Sequence, residues 1–446
     1  MRLRELFVVL ALVTWGLGWG AILDAQRVKD MTLGNGLHVI VLQEPQWGVV
    51  SVGLNVRCGS LHDPPDKAGL SHLLEHVLFE NTDPTAPGLG LAVEEMGGYI
   101  NAQTLRDFMS VEVLVASNEL EAVLDLLAER LAKPAFDKEV IHQEKQVILR
   151  EIADRSEQAD EVAMTALWEL AYPKHPYGWP IGGTKKSLSA IELGDVVAHH
   201  KKFYVPNNAA LVVVGDVEAG RVFEAAKRAF GGWKAAEVGW QPPPPEPPLS
   251  EVRTKVVESQ SAATVFAVGF PAPGIDHPED VCAMDLIYTW FNEGEGSWLQ
   301  RVLVNERKLA LGAEAEFLTQ RYPGLLILAV VCPREKELEA RQAVLDAVEQ
   351  LRSAPLGEGE LARLKDLVYT QYAFTNETCM DKAGSIGFYE MITGYRFAFD
   401  YIDLVEKVTP EQLLDVARRY LNPDAYSVVV LRPRPEGGQE AWVPWL

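Results

Sequence analysis

The sequence predicts an α+β protein made of two homologous α/β sandwich domains joined by a proline-rich linker, and three observations carry that expectation. Strand-like runs rich in β-branched residues are interspersed with longer amphipathic helical patterns along the whole chain. A cluster of prolines near the midpoint interrupts both patterns. The two sides of that cluster repeat one order of signals, an apolar strand, a polar loop with Pro and Asp, then a helix. At 446 residues the chain is also too long for a single core.

Taken from the N-terminus, "MRLRELFVVLALVTWGLGWGAILDAQ" sets Arg2 and Arg4 before an uncharged apolar run over residues 6–23. This pattern predicts a signal peptide over residues 1–25, with Ala25 as the cleavage residue and a periplasmic or secreted mature protein. A retained membrane anchor formed by residues 6–23 is the alternative, slightly short of the roughly 20 residues of a comfortable span. The first domain is expected over residues 26–239. Its strands are "LHVIVL" and "VVSVGLNV", followed by the polar loop "GSLHDPPDKAG" and a helix beginning "LSHLLEH". "NELEAVLDLLAERLA" (118–132) has apolar residues at helical spacing, and "AALVVVGDV" (209–217) reads as a buried strand ending in a Gly-Asp turn. The linker is residues 240–251, "WQPPPPEPPLSE", whose prolines favour an extended chain over a packed element.

The second domain, residues 252–446, runs "ATVFAVGF", "PAPGIDHPED" and "VCAMDLIYTWF", then the helical "EARQAVLDAVEQLRS" (339–353) and the strand "AYSVVVL" (425–431). Aligning Pro64 and Asp66 with Pro278 and Asp280 sets His72, Glu75 and His76 opposite Leu286, Thr289 and Trp290. One copy keeps a polar triplet where the other has core residues, which argues against a purely architectural role for the triplet.

The formal net charge of −22 argues against nucleic acid as a partner, since phosphates need a basic face. Cys58, Cys282, Cys332 and Cys379 are scattered without a CxxC pair, so they read as small hydrophobes rather than metal ligands or a disulfide framework. The glycine-rich "NEGEGS" (292–297) lacks the lysine of a phosphate loop. In the tail, Trp442 and Trp445 are candidate anchors for a partner or for the chain's own body.

The chemistry concentrates in His72-Leu-Leu-Glu75-His76. On a helix the two histidines lie about 40° apart, so their rings can converge on one ion. Glu75 sits on the neighbouring edge, placed to act as a general base without binding the ion. The order H-x-x-E-H is a zinc-protease pattern. Such a site needs a third protein ligand, and the helix "KEVIHQEKQVILREIADR" (138–155) offers Glu144 and Glu151. Seven residues separate them, two helical turns, so both project from one face. One can reach the metal while the other orients a ligand.

"GSLHDPPDKAGLSHLLEHVLFENT" followed by "EKQVILREI" resembles the inverzincin peptidases of the pitrilysin, insulinase and mitochondrial-processing-peptidase family. "NGLHVIVLQEP", "HPYGWPIGGTKKSL" and "FYVPNNAALVVVGDV" extend the resemblance, and the linker falls where the family joins its two halves. The resemblance implies one zinc ion per chain held by His72, His76 and Glu151, with Glu75 as catalytic base and Glu144 as a supporting catalytic residue. "GGYINAQTLRDF" is similar to the family's active-site strand, in which Asn101 and Ala102 pair with the substrate backbone. That mode is β-augmentation, which reads extended peptides.

Active members of the family also carry an Arg and a Tyr seven residues apart in the second half. In "GEGSWLQRVLVNERKLALGAEAEF" (294–317) one register gives Glu306 and Ala313, the other Asn305 and Gly312, and Arg307 has no such tyrosine. The resemblance therefore implies a zinc endopeptidase working as the catalytic subunit of a heterodimer, whose homologous partner chain supplies the pair. A homodimer is the alternative assembly. The alternative function is a non-catalytic assembly or peptide-binding subunit that retains the fold.

Overall fold

The computed structural model describes residues 22–434, with the exception of residues 46, 47, 84 and 260. Residues 1–21 of the signal-like segment and the tail tryptophans lie outside the described residues, whereas Leu23, inside the expected signal segment, is buried in a cluster with Ile40 and Leu42. The first sheet contains β1 (Val28–Thr32), β2 (His38–Gln43), β3 (Val49–Val56), β4 (Tyr99–Thr104), β5 (Met109–Ala116) and β6 (Ala209–Gly215), in the order β1-β2-β6-β3-β5-β4. The second contains β7 (Arg253–Ser259), β8 (Thr264–Ala272), β9 (Gly312–Phe317), β10 (Gly324–Cys332) and β11 (Ser427–Pro433), in the order β7-β11-β8-β10-β9.

Leaving β1 aside, the two orders coincide strand for strand. β2 runs parallel to β6 as β7 does to β11, and the remaining pairs are antiparallel in both sheets. The duplication expected from the sequence is therefore present in the topology. Six helices frame the site and join the two halves: α1 (Leu70–Phe79), α2 (Lys138–Ser156), α3 (Ala159–Ala171), α4 (Pro278–Asn292), α5 (Glu358–Phe374) and α6 (Cys379–Ile392). α1 follows β3 as α4 follows β8. On α4, Leu286, Thr289 and Trp290 are all buried, and the Trp290 indole donates to Glu360 Oε1 at 2.9 Å, so this copy of the helix serves as core.

One face of the first sheet packs Val39, Val52, Leu54 and Val111 against Leu70, Leu73, Leu74 and Val77 of α1 and Ile141 and Ile148 of α2. Each such side chain, fully buried, contributes roughly 1.5–3 kcal/mol. The opposite face is covered by the other half of the chain, with Ala383 and Ile386 of α6 lying on Ile40, Leu42, Val212 and Val214. The exchange is reciprocal, because Ala163, Ala166 and Leu167 of α3 lie on Val265, Ala267, Val429 and Leu431 of the second sheet. Sheets covered on both faces read as continuous apolar strands, as β6 does over its whole length. Residues 234–250 form no helix or strand, and Glu246 ties this stretch to the first half by accepting from the Lys174 and His175 main-chain N–H groups, both at 2.9 Å. The four cysteines are free, and three of them are buried.

Candidate metal centre and peptide-binding edge

The start of α1 is fixed from behind before its polar face is presented. Buried Asp63 accepts from Gly69 N (2.8 Å), Ser71 N (2.9 Å) and Ser71 Oγ (2.7 Å), which satisfies amide groups at the helix N-terminus. Burial pushes the Asp63 carboxyl up to about 7 against the pull of those hydrogen bonds. The Ser71 hydroxyl also meets His199 Nε2 at 3.0 Å, and Cys58 Sγ lies 3.1 Å from the same nitrogen. Gly183, at φ 73°, rests against the residue before this turn, and a Cβ there would lie 2.1 Å from Ala68 O. Glycine is required by both the backbone angle and the contact.

With Leu70, Leu73, Leu74 and Val77 committed to the core, helical periodicity turns His72, Glu75 and His76 toward α2. On α2 the stripe Ile141, Glu144, Ile148, Glu151 faces α1, its isoleucines buried and its carboxylates meeting the histidines. His72 Nε2 lies 3.3 Å from Glu151 Oε2, and His76 Nε2 lies 3.7 Å from Glu151 Oε1. Ligand atoms of these three residues all fall within 4.8 Å of one another, the one such His/Cys/Asp/Glu group among the described residues. Two ligands held about 2.0–2.1 Å from a tetrahedral ion are roughly 3.3 Å apart, so the set fits zinc with little adjustment.

The second ring nitrogens are used differently. His76 Nδ1 is 3.1 Å from Glu144 Oε2, which fixes the ring with Nε2 toward the ligand set. His72 Nδ1 is buried without a hydrogen-bond partner, 3.6 Å from Glu75 Oε2. Thr104, at the end of β4, donates its hydroxyl to Glu75 Oε2 at 2.5 Å. Burial raises the Glu75 pKa, but the His72 and Thr104 interactions outweigh it and hold the carboxyl below its ordinary value. For His76, burial lowers the pKa and the carboxylates, Glu144 first, overcome it, so the ring sits above its ordinary value.

β4 is the edge of the first sheet and pairs with β5 alone. Leu105 N–H donates to Phe108 O at the end of this hairpin. Antiparallel alternation from that bond turns the main-chain groups of Ile100, Ala102 and Thr104 outward along the open edge. Ala102 thus presents its backbone to the edge, whereas the Asn101 main chain faces β5. The Asn101 side chain lies with Tyr99 and Gln103 on the other face, lining a cavity of about 700 Å³ between β4–β5 and the second half. Of the positions where an Arg/Tyr pair is expected, Gly312 opens β9 and Asn305 lies in the preceding helical turn.

Two residues escape a reading by sequence. Thr104 is 29 positions from Glu75 and shares no periodic pattern with it, and only strand pairing brings them together. Asp63 belongs to a loop that reads as polar punctuation, and the amides it accepts from lie six and eight positions on, beyond the two- or three-residue reach by which a helix cap is read from sequence.

Known proteins resemble this chain over most of its length. The family described as Insulinase (Peptidase family M16) matches residues 38–185, and Peptidase M16 inactive domain matches residues 190–368. The chain is 28% identical over 439 residues to the zinc protease PqqE of Helicobacter pylori, covering 97% of this chain and 98% of that protein. It is 26% identical over 423 residues to the mitochondrial-processing peptidase subunit beta of Blastocladiella emersonii, covering 93% and 90%. A crystal structure of a protease from Helicobacter pylori matches with a TM-score of 0.86 and 26% identity, over 91% of this chain and 99% of that one. The first match contains His72, Glu75, His76, Glu144 and Glu151, and the two together span most of the chain. The chain belongs to the insulinase family of peptidases, M16.

Proposed function

We propose that this chain is a zinc-dependent endopeptidase acting on extended, unfolded peptides, and that it is the zinc-bearing subunit of a heterodimer. The observation that carries this reading is the convergence of His72, His76 and Glu151 beside a carboxylate, Glu75, that stays outside the ligand set. An ion held by those three residues would supply Lewis acidity toward water and the scissile carbonyl. Glu75 accepts the proton of the attacking water and returns it to the departing amine. The Thr104 hydrogen bond fixes Glu75 Oε2 and leaves the other oxygen to carry the proton. Glu144 holds the His76 ring through Nδ1. The open edge of β4 binds the peptide main chain as an added strand, which admits extended segments and excludes folded ones.

The heterodimer reading is supported by the second half offering Glu306 and Ala313 in one register, or Asn305 and Gly312 in the other, in place of an arginine and a tyrosine that would donate to the developing oxyanion. A relative that is by name a subunit, the beta chain of a processing peptidase, is consistent with divided labour. The basic and then apolar N-terminus supports export. The test is hydrolysis of a quenched fluorescent peptide by the zinc-loaded chain, alone and with candidate partner chains. Cleavage that appears only with a homologous partner and vanishes in Glu75→Gln is expected. Cleavage by the chain alone, lost in Glu75→Gln, would keep the peptidase and overturn the need for a partner. Cleavage that survives Glu75→Gln would remove the catalytic assignment.

A further inference from the structure

We propose that the cavity behind β4 is a specificity pocket for a cationic side chain, lysine or arginine, of the bound peptide, with Glu112 as the carboxylate that recognises it. The inference rests on β4 being the peptide-binding edge and adds the substrate class that edge selects. A strand added beside β4 continues its pleat, so every second peptide side chain falls on the face of Tyr99, Asn101 and Gln103. That face opens into the 700 Å³ cavity, ample for one long side chain.

The walls decide which chain that is. Phe317, Tyr372 and Phe388 offer aromatic surface for an aliphatic stem or a guanidinium plane, and no Lys or Arg lines the cavity. Four carboxylates do, and three are engaged. Asp285 accepts from Tyr401 (2.9 Å), Glu293 from Tyr288 (3.1 Å), and Asp381 caps α6 by accepting from Thr378 (2.6 Å). Glu112 has only the Ser110 hydroxyl, at 3.3 Å, and no cation within ion-pair distance among the described residues. Burial holds its carboxyl above the ordinary value and the charge of Asp381 adds to that, a penalty that a cation in the cavity would reverse.

Reach is sufficient. Glu112 sits opposite Asn101 on β5, two strand spacings from an added peptide, roughly 10 Å at about 4.8 Å per strand. An extended arginine covers roughly 7 Å and a glutamate roughly 3–4 Å, which closes that gap. Gly384 of α6 keeps the space open, since a Cβ there would come within 3.1 Å of Glu112 Oε1.

The experiment measures fluorescence anisotropy of labelled ten-residue peptides on the zinc-loaded Glu75→Gln chain. One position at a time carries Arg, norleucine or Glu in a neutral background. The expected result is a position at which Arg binds at least about 10-fold tighter than norleucine, with Glu weaker than both. Glu112→Gln in the same background should erase that preference and leave the norleucine peptide unchanged. Gly384→Ala, which crowds Glu112 without removing it, should shrink the preference. Absence of peptide binding, binding without an Arg preference, or a preference that persists in Glu112→Gln would overturn the pocket. Cleavage of the same peptides by the chain with Glu75 intact, combined with its homologous partner chain, reads the peptidase separately. Hydrolysis indifferent to Arg keeps the enzyme and rejects the pocket, and Arg-selective binding without hydrolysis does the reverse.

Discussion

Removing the Glu144 carboxylate should weaken zinc binding without disturbing the fold. Its Oε2 lies 3.1 Å from His76 Nδ1, and both side chains are largely shielded from water, at 13% and 17% exposure. In Glu144→Ala the Nδ1–H loses its acceptor and the ring loses the contact that turns Nε2 toward Glu151. A hydrogen bond to a charged group is worth about 1.5–3 kcal/mol. At about 1.4 kcal/mol per tenfold that is about 10–100-fold in zinc affinity, the range typical for the outer partner of a metal-bound histidine. Glu144→Gln keeps an amide oxygen that can still accept from Nδ1–H, so its loss should be below about 10-fold. Competition with a chromogenic chelator gives the dissociation constants, and melting in excess zinc shows whether each variant is folded. Unchanged affinity in a folded Glu144→Ala chain would refute the orienting role. Equal losses in the two variants would show that charge acts there and ring orientation does not.

Three further outcomes are expected. Thr104→Val should lower kcat about 10-fold with KM within about twofold and zinc content unchanged, whereas Thr104→Ser should retain most activity, since the hydroxyl alone holds Glu75. Gly183→Ala should destabilise the chain by about 1–3 kcal/mol in denaturant titration, because φ is 73° and the new Cβ would meet Ala68 O. Stability should also depend on pH through the contact between β2 and α6, where His38 bridges Glu390 (3.0 Å) and Asp30 (3.1 Å). The hydrogen bond to Glu390 raises the His38 pKa above 6.5 against desolvation, so its contribution is complete below 6.5 and lost as pH rises through the folded value. Burial opposes ionisation of Glu390, but His38 and neighbouring donors leave its pKa below 4.5. Its contribution is therefore complete above 4.5 and lost as pH falls through the folded value. A melting-temperature profile should show a plateau between these limits, and His38→Ala should flatten the alkaline limb. An unchanged limb would exclude His38 as its source.

Much of the site was legible because its information is local. His72, Glu75 and His76 lie within one helical turn and a half, and Glu144 and Glu151 lie on one face of a single helix, so spacing alone predicts which side chains can converge. The strands read as "VVSVGLNV" and "AALVVVGDV" became β3 and β6, because runs of β-branched residues bounded by Gly-Asp or polar loops have few other solutions. What could not be read is what each apolar face packs against. The pattern of α6 shows that Ala383 and Ile386 need cover but not that the cover is Ile40 and Val212, more than 150 residues earlier in the chain. The Glu112 cavity escaped for the same reason, since its walls come from both halves. β4 was proposed as a peptide-binding strand through resemblance, while the direction of its main-chain groups depends on a register that no single segment encodes.

The reciprocal placing of α3 and α6 has a consequence for how the molecule is made. The first sheet is complete once β6, ending at Gly215, has been synthesised, yet Ile40, Leu42, Val212 and Val214 have no cover until residues 379–392 emerge. At a typical 5–20 residues per second, that leaves an apolar sheet face open for roughly ten to thirty seconds of translation. A nascent chain in that interval is a client for any holdase that recognises apolar strands. A fragment ending at the proline-rich stretch would carry His72, His76 and Glu151 and still lack the helix that covers its own sheet.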